Sequence, residues 1–286
     1  HVPGFFDKVL EIDYCALQSE PSNAIRNHLR DYCSKRSLPY YNIREHSGLM
    51  RNLIVRTSTT GDVMVIVVFA QRSEEIVPLL ENLRENFPQI TSLMYCINEK
   101  FNDTLGDQDI KCFAGKDHIE ERMTSFDGKG ELRFKIRPKT FYQTNSLQAE
   151  KLYHQAAEFA GITKDDIVYD LYTGCGTIAN YVASLSKKVV GIEYVEDAVE
   201  DARLNSEFTT VFNSVRYPLL AACLIAASKP SLLIVRSPAA DKVKLIQICC
   251  STQKNFLVNK LTLKTRFVLL LECDTLFPLI AVLPVI

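Results

Sequence analysis

The sequence predicts an α/β protein: an α+β region followed by a doubly wound, largely parallel sheet. Three observations predict it. From about Arg137 onward, apolar strand-like runs alternate with helical stretches, the pattern of parallel strands joined by crossover helices. One run, Val168-Tyr-Asp-Leu-Tyr-Thr-Gly-Cys-Gly-Thr177, passes from an apolar strand through an acid, Asp170, into a Gly-x-Gly turn and a helix. A second run, Lys188-Val-Val-Gly-Ile192, ends on another acid, Glu193.

The elements follow in chain order. Residues 1–135 are assigned to the α+β region and 136–286 to the doubly wound one. Asn23 to Ser34 has helical character. Asn52-Leu-Ile-Val-Arg56 and Val63-Met-Val-Ile-Val-Val-Phe69 are β-rich runs on either side of Thr59-Thr-Gly-Asp62, a hairpin turn signal. Ser73 to Asn86 reads as a helix. Ser73 is its cap, Glu74 and Glu75 suit the positive end of its dipole, and Pro88 follows its end. Thr91 to Asn98 and Asp109 to Ala114 are further strands, and Ala149 to Ala160 is a helix leading into the Gly-x-Gly strand.

The turn itself points to a nucleotide-like cofactor. Gly174 and Gly176 permit a tight turn and a close approach that a Cβ would block. Gly174-x-Gly176-x-x-Ala179 also satisfies the dinucleotide fingerprint in its Gly/Ala form. Two details favour S-adenosylmethionine over a dinucleotide. Asp170, four residues before the first glycine, suits a cationic amino-acid moiety, whereas a pyrophosphate would be repelled in a partly dry site. The strand also follows a helix and another candidate strand, so it does not open its domain. Glu193, at the tip of the next strand, can accept both hydroxyls of a ribose.

Composition bounds the rest. The net charge of −1 announces no global basic field for nucleic acid. A local run, Lys129, Arg133, Lys135, Arg137 and Lys139, is a candidate RNA contact, with a solvated strand edge as its plain alternative. Nine cysteines without a signal peptide indicate a reducing, cytoplasmic setting, and the absence of any CxxC pair suggests no metal site. The opening His1-Val-Pro-Gly-Phe-Phe is neither an initiator methionine nor a targeting sequence, so the chain reads as a fragment lacking its natural N-terminus.

Composition shifts again near Glu207, and residues 208–286 are of doubtful fold. Gly191 is the last glycine of the chain; average usage would place about six or seven beyond it. Only Asp241, Glu272 and Asp274 are acidic after Glu207. A doubly wound sheet builds its sites from glycines and acids at loop tips. Three readings compete: a membrane-associated segment, a divergent but real domain end, and an out-of-frame or misjoined translation. The membrane reading is weakest, since Tyr217 to Ser228 is too short to span and Phe267 to Ile286 contains two acids. The out-of-frame reading is preferred, and Arg236-Ser-Pro-Ala is compatible with a one-base shift from Asp-Pro-Pro-Arg.

From about His1 to Glu207 the chain resembles the RNA (uracil-5-)-methyltransferases. The resemblance is carried by Phe141-Tyr-Gln-Thr-Asn145, Asp170-Leu-Tyr-Thr-Gly-Cys-Gly-Thr177, Gly191-Ile-Glu-Tyr194 and Ala202-Arg-Leu-Asn205. It implies a Rossmann-like S-adenosylmethionine methyltransferase domain preceded by an α+β central domain, with an aberrant C-terminal part. It further implies methylation of uridine to 5-methyluridine in rRNA or tRNA, 23S rRNA first. RNA is the implied partner, with no membrane, metal or protein partner. By resemblance Gln143 is the cofactor-binding glutamine, Tyr172 the aromatic residue of the loop and Glu193 the ribose acid. Thr177 stands where relatives carry a cofactor-contacting Asn; its hydroxyl replaces only part of that contact, lacking the amide's paired donor and acceptor. The expected cofactor contacts are thus Gln143, Asp170, Tyr172, Gly174, Gly176, Thr177 and Glu193.

Cys175 reads as a small side chain in a tight loop rather than a nucleophile. Cys15 resembles the last of four cysteines that hold an iron–sulfur cluster in part of the family. A cluster takes four thiolates and the other three would precede His1, so Cys15 is expected to be a free thiol here.

The implied chemistry needs a Cys thiolate that adds to uracil C6, making C5 nucleophilic, and a base that then removes the C5 proton. The family carries that Cys in a Ser-Cys-Asn-Pro loop, with an Asp-Pro-Pro-Arg loop and a late Glu base. None of these is present in the sequence. Cys250 is a faint positional echo of the nucleophile and Glu272 of the base. The chain as written is therefore expected to turn over little or not at all. Its rivals are a catalytically inactive RNA-binding fragment and another Rossmann methyltransferase acting on DNA or a small molecule.

Overall fold

A computed structural model describes residues 3–4, 10–193 and 195–209, together with the backbone of four later strands. The chain divides into two compact units. The first is His1–Glu120 with Arg137–Lys139, and the second is Glu121–Ile136 with Thr140–Ile286. The boundary falls before Glu121, earlier than the change of pattern near residue 135.

The first unit is built on a four-stranded sheet. In chain order it runs α1 (Ser22–Lys35), β1 (Met50–Thr57), β2 (Val63–Phe69), α2 (Ile76–Asn86), β3 (Ser92–Ile97) and β4 (Ile110–Gly115), with the strands ordered β1-β2-β3-β4. β1 and β2 are an antiparallel hairpin about the expected Thr59–Asp62 turn, where Gly61 takes φ +90. β2 and β3 are parallel and joined through α2. The unbroken apolar run of β2 is buried along its whole length, as a strand covered on both faces requires. Ile25, Leu29 and Cys33 of α1 and Leu79, Leu80 and Leu83 of α2 pack with Val63, Val65 and Val67 into one core. α2 starts later than Ser73, whose hydroxyl accepts from the Glu75 amide ahead of the helix.

Asp62, nearly buried in the hairpin turn, fastens the unit's later residues. Its carboxylate accepts from the Glu120 amide at 2.9 Å and from the Lys116 ammonium at 3.4 Å. Burial works against its charge, but the Glu120 amide and Lys116 outweigh it and hold the carboxyl below its ordinary range. A depressed carboxyl contributes stability above its unfolded pKa, about 4, and loses it as pH falls through the folded value. Asp62→Asn is therefore expected to lower stability by about 1–2 kcal/mol at neutral pH. Urea titrations should show that deficit shrinking below about pH 4; an equal deficit at both pH values would refute the ionic role.

The second unit opens with a hairpin whose strands are β5 (Ile119–Thr124, its first two residues in the first unit) and β6 (Glu131–Ile136). Sequence reading did not separate this hairpin from the region before it. Its attachment explains the earlier boundary: the Lys135 amide donates to Asn205 Oδ1 at 2.8 Å, and Ser146 donates to Glu121 at 2.8 Å. There follow α3 (Ser146–Ala160), β7 (Ile167–Leu171), α4 (Thr177–Ala183), β8 (Lys188–Ile192) and α5 (Glu196–Phe208). α3 begins before the expected Ala149 because Asn145 caps it, accepting from the Gln148 amide at 3.1 Å. It stops at Gly161 in the left-handed region.

The backbone strands β9 (Val215–Arg216), β10 (Val243–Ile248), β11 (Phe267–Leu271) and β12 (Leu279–Leu283) complete a six-stranded sheet in the order β12-β11-β10-β7-β8-β9. β7 is central and parallel to both β8 and β10; β12 alone runs antiparallel to its neighbour. The chain leaves β7 toward β8 and returns on its other side as β10. The carboxyl end of β7 is thus the topological switch point of the sheet, where such folds place their ligands. Among the described residues no helix is long and apolar enough to cross a membrane.

Candidate functional site

The Gly-x-Gly turn leaves β7 at this switch point. Asp170 is opposite Gly191, and Leu171 opposite Ile192, in the β7–β8 ladder. Asp170 and Glu193 thereby stand near the ends of adjacent parallel strands. Tyr172 has φ +60 and is 42% exposed. A bulky residue in that region is strained, and such strain concentrates at functional loops. Gly174 and Gly176 follow with φ +55 and +82, as their glycine identity allows. An ideal Cβ on Gly174 would meet no atom within 4 Å. The turn therefore leaves open space over Gly174, the space a bound ligand would use and a side chain would fill.

Both acids hold this turn. Asp170 is 1% exposed, and its Oδ2 accepts from the Thr173 hydroxyl at 2.6 Å and the Ala179 amide at 3.1 Å. Its charge satisfies a first-turn amide of α4, which has no partner within the helix. Glu193 is 6% exposed; Oε2 accepts from the Gly174 amide at 3.0 Å and Oε1 from the Val195 amide at 3.1 Å. The Thr173 amide donates to Ile192 and the Gly176 amide to Thr173, closing the turn on the β8 end.

The Phe141–Asn145 segment is tied to the same turn. The Cys175 thiol donates to the Phe141 carbonyl at 3.3 Å. Cys175 is 3% exposed, so the structure buries it as a packing residue. Tyr142 is buried against Phe134, with ring centroids 5.9 Å apart. Burial, and then the Glu121 charge, pushes its phenol pKa up. Gln143 is half-buried, and among the described residues no hydrogen-bond partner is found for its side chain. Thr177, half-buried, opens α4. Asn145 does not join them as a ligand group: its side chain is the α3 cap.

The inner face of α5 carries this assembly; sequence reasoning quoted Asn205 within Ala202-Arg-Leu-Asn205 without giving it a role, and did not single out Asp201. Asp201, 5% exposed, accepts a hydrogen bond from the Thr140 hydroxyl, just before the Phe141 segment. Asn205, fully buried, accepts from the Lys135 amide and donates through Nδ2 to the Cys175 carbonyl at 3.1 Å. The available signal was their spacing of four, which places two polar side chains on one helix face.

The five-residue basic run divides between the units. Arg133 and Lys135 are on β6 and Lys129 precedes it, all in the second unit; Arg137 and Lys139 belong to the first. Cys15, half-buried, has its backbone held on both sides by the Asn23 amide. Cys250, Glu272, Tyr194 and Arg236 lie outside the described residues. Among the described residues, no group of three His, Cys, Asp or Glu could hold a metal ion.

The central β7, its glycine turn and the acid just beyond β8 give this domain the Rossmann-like methyltransferase fold. A solved structure of this fold is the Pyrococcus abyssi tRNA (uracil-54, C5)-methyltransferase in complex with S-adenosyl-L-homocysteine. It matches at a TM-score of 0.62 and 24% identity, covering 84% of this chain and 54% of that one. No family model matches the chain. Two curated relatives carry the name uncharacterized RNA methyltransferase. That of Bacteroides thetaiotaomicron is 50% identical over 221 residues, 76% of this chain and 47% of its own length. That of Porphyromonas gingivalis is 49% identical over 222 residues, 76% of this chain and 46% of its own length. Over about three quarters of its length the chain is similar to these relatives, and it spans about half of theirs.

Proposed function

We propose that the chain is the cofactor-binding part of an S-adenosylmethionine-dependent methyltransferase that forms 5-methyluridine in RNA. The observation that carries this reading is Glu193 holding the Gly174 amide beneath open space. The residues present fit the cofactor. Glu193, at the end of the strand beside β7, would take the ribose hydroxyls. Gly174 and Gly176 would admit the cofactor against the backbone, with Tyr172, Gln143 and Thr177 at its borders. Asp170 would act through the turn it braces, rather than by direct contact. The sulfonium supplies an electrophilic methyl group when bound.

The uracil-5 assignment draws on the Phe141–Asn145 segment and on the resemblance described above; the RNA substrate draws on the family. Between rRNA and tRNA, 23S rRNA is the target we adopt from the resemblance. A cytoplasmic setting accompanies it. The sequence contains no Ser-Cys-Asn-Pro loop, so we read this chain by itself as able to bind cofactor and unable to turn over. Loss of a covalent nucleophile removes the route that divides one difficult step into two easier ones.

Calorimetry with S-adenosylmethionine and tritium release from C5-labelled uridine in RNA test the two halves of this reading. We expect cofactor binding and no tritium release above background. Robust release by this chain would refute the inactivity, and absence of cofactor binding would refute the cofactor assignment. Translation of the coding DNA in all three forward frames past Asn205 tests the out-of-frame reading. A Ser-Cys-Asn-Pro in another frame supports it, and none in any frame favours a divergent real end.

A further inference from the structure

The outward face of the β5–β6 hairpin carries charge that neither the strand pairing nor the cofactor turn uses. Side chains along β6 alternate: Leu132, Phe134 and Ile136 are buried, Glu131 and Arg133 are exposed, and Lys135 is half-buried. The Arg133 guanidinium lies 5.1 Å, and the Lys135 ammonium 5.0 Å, from the centroid of the Phe208 ring. One aromatic ring at the end of α5 thus gathers two cations from the same strand face. Arg122, on the partner strand, joins them through Glu131, whose carboxylate is 3.7 Å from Arg122 and 3.8 Å from Arg133. Arg122, Arg133 and Lys135 share this face with Glu131 and Glu120, so cations outnumber carboxylates along it, on a chain whose net charge is −1.

Neighbouring like charges on one strand face repel unless something offsets them. Here the ring quadrupole of Phe208 partly offsets them and also restrains both side chains, which lowers the entropy lost when they meet an anion. Alternate residues of a strand are about 6.8 Å apart, close to the repeat of successive phosphates along one RNA strand. The strip is also coupled to the site. The Lys135 amide donates to Asn205, and Asn205 donates to the Cys175 carbonyl in the Gly-x-Gly turn. A strand held on this face would be in fixed register with the turn.

We propose that Arg133 and Lys135, gathered by Phe208 and extended by Arg122, form a docking strip for the sugar–phosphate backbone of the RNA substrate. The strip rests on the RNA reading of the preceding subsection, and its test separates the two. Fluorescence anisotropy with a labelled, mixed-sequence single-stranded RNA is followed as a function of salt, beside calorimetry with S-adenosylmethionine. For the Arg133→Ala/Lys135→Ala variant, loss of two phosphate contacts makes the slope of log K against log salt shallower by about 1.4, with affinity about tenfold weaker at low salt. Cofactor affinity stays unchanged. Phe208→Leu weakens RNA binding while leaving the slope within error, since no charge is removed.

An RNA affinity and salt slope equal to wild type in the double variant would overturn the strip and leave the RNA reading intact. Absence of RNA binding by the wild type would overturn both. If the double variant lost cofactor binding as well, Lys135→Gln, which keeps the aliphatic stem over Phe208, carries the same test with a slope change of about 0.7.

Discussion

Glu193→Ala is expected to weaken S-adenosylmethionine binding by about 100-fold, or about 2.7 kcal/mol. In this structure the acid receives the amides of Gly174 and Val195; in the proposed function it would also receive the ribose. A hydrogen bond to a charged group contributes about 1.5–3 kcal/mol, so loss of the ribose contacts alone reaches the expected figure. Glu193→Gln is expected to fall between wild type and Ala. Its single oxygen can serve only one of the two amides, and its NH₂ then opposes the other N–H. Calorimetry with S-adenosylmethionine reads both effects, and a thermal melt of each variant shows whether the fold survives. A dissociation constant within about threefold of wild type in a folded Glu193→Ala protein would remove Glu193 from the ribose role.

The two acids of the site differ in how far their roles could be read from sequence. Position in the alternation identified both, because each closes an apolar strand. For Glu193 the ribose role that strand-end geometry suggests is the one we propose. Asp170 was read as a partner for a cationic cofactor group, but the structure shows it 1% exposed and engaged by Thr173 and Ala179. Spacing places a carboxylate at a strand end without telling whether it faces ligand or its own turn. The same ambiguity applies to Asn145, read within an aromatic–Gln–Asn pattern and used as the α3 cap.

The strands of the first unit were legible because apolar side chains dominate them: Val63 to Phe69 has no polar residue to mislead. The β5–β6 hairpin was not resolved, although its period of two is present. Glu120, Arg122, Glu131, Arg133 and Lys135 occupy its outer positions, and their charges disguise the buried Ile119, Met123, Leu132, Phe134 and Ile136. Asp127-Gly128-Lys129-Gly130 between them carried the turn signal. α5 was hidden for the opposite reason. Its inner face bears Asp201 and Asn205 beside Ala202 and Val199, and hydropathy assigns polar residues to solvent. Packing reverses that assignment only where backbone groups elsewhere in the fold need partners.

Asn205 is the residue on which that argument can be tested most directly. Asn205→Ala is expected to lower stability by about 2–6 kcal/mol, because it removes the partner of two backbone groups, the part-buried Lys135 N–H and the buried Cys175 C=O, at about 1–3 kcal/mol each. Against a total of about 5–15 kcal/mol for a typical domain, this is among the largest single changes the second unit could suffer. The cofactor turn should suffer too. Cys175 is held on one side by Asn205 and on the other by Phe141, so loss of the amide frees the peptide between Gly174 and Gly176. Asn205→Asp separates these effects. An ionised Asp still accepts from the Lys135 amide but has no donor for the Cys175 carbonyl, and full burial makes its charge costly. Urea denaturation of wild type and both variants, with calorimetry on S-adenosylmethionine under conditions where all remain folded, reads stability and cofactor affinity separately. If Asn205→Ala cost less than about 0.5 kcal/mol, the range of ordinary surface substitutions, and left cofactor affinity unchanged, α5 would not be what fastens the hairpin and the Phe141 segment to the glycine turn.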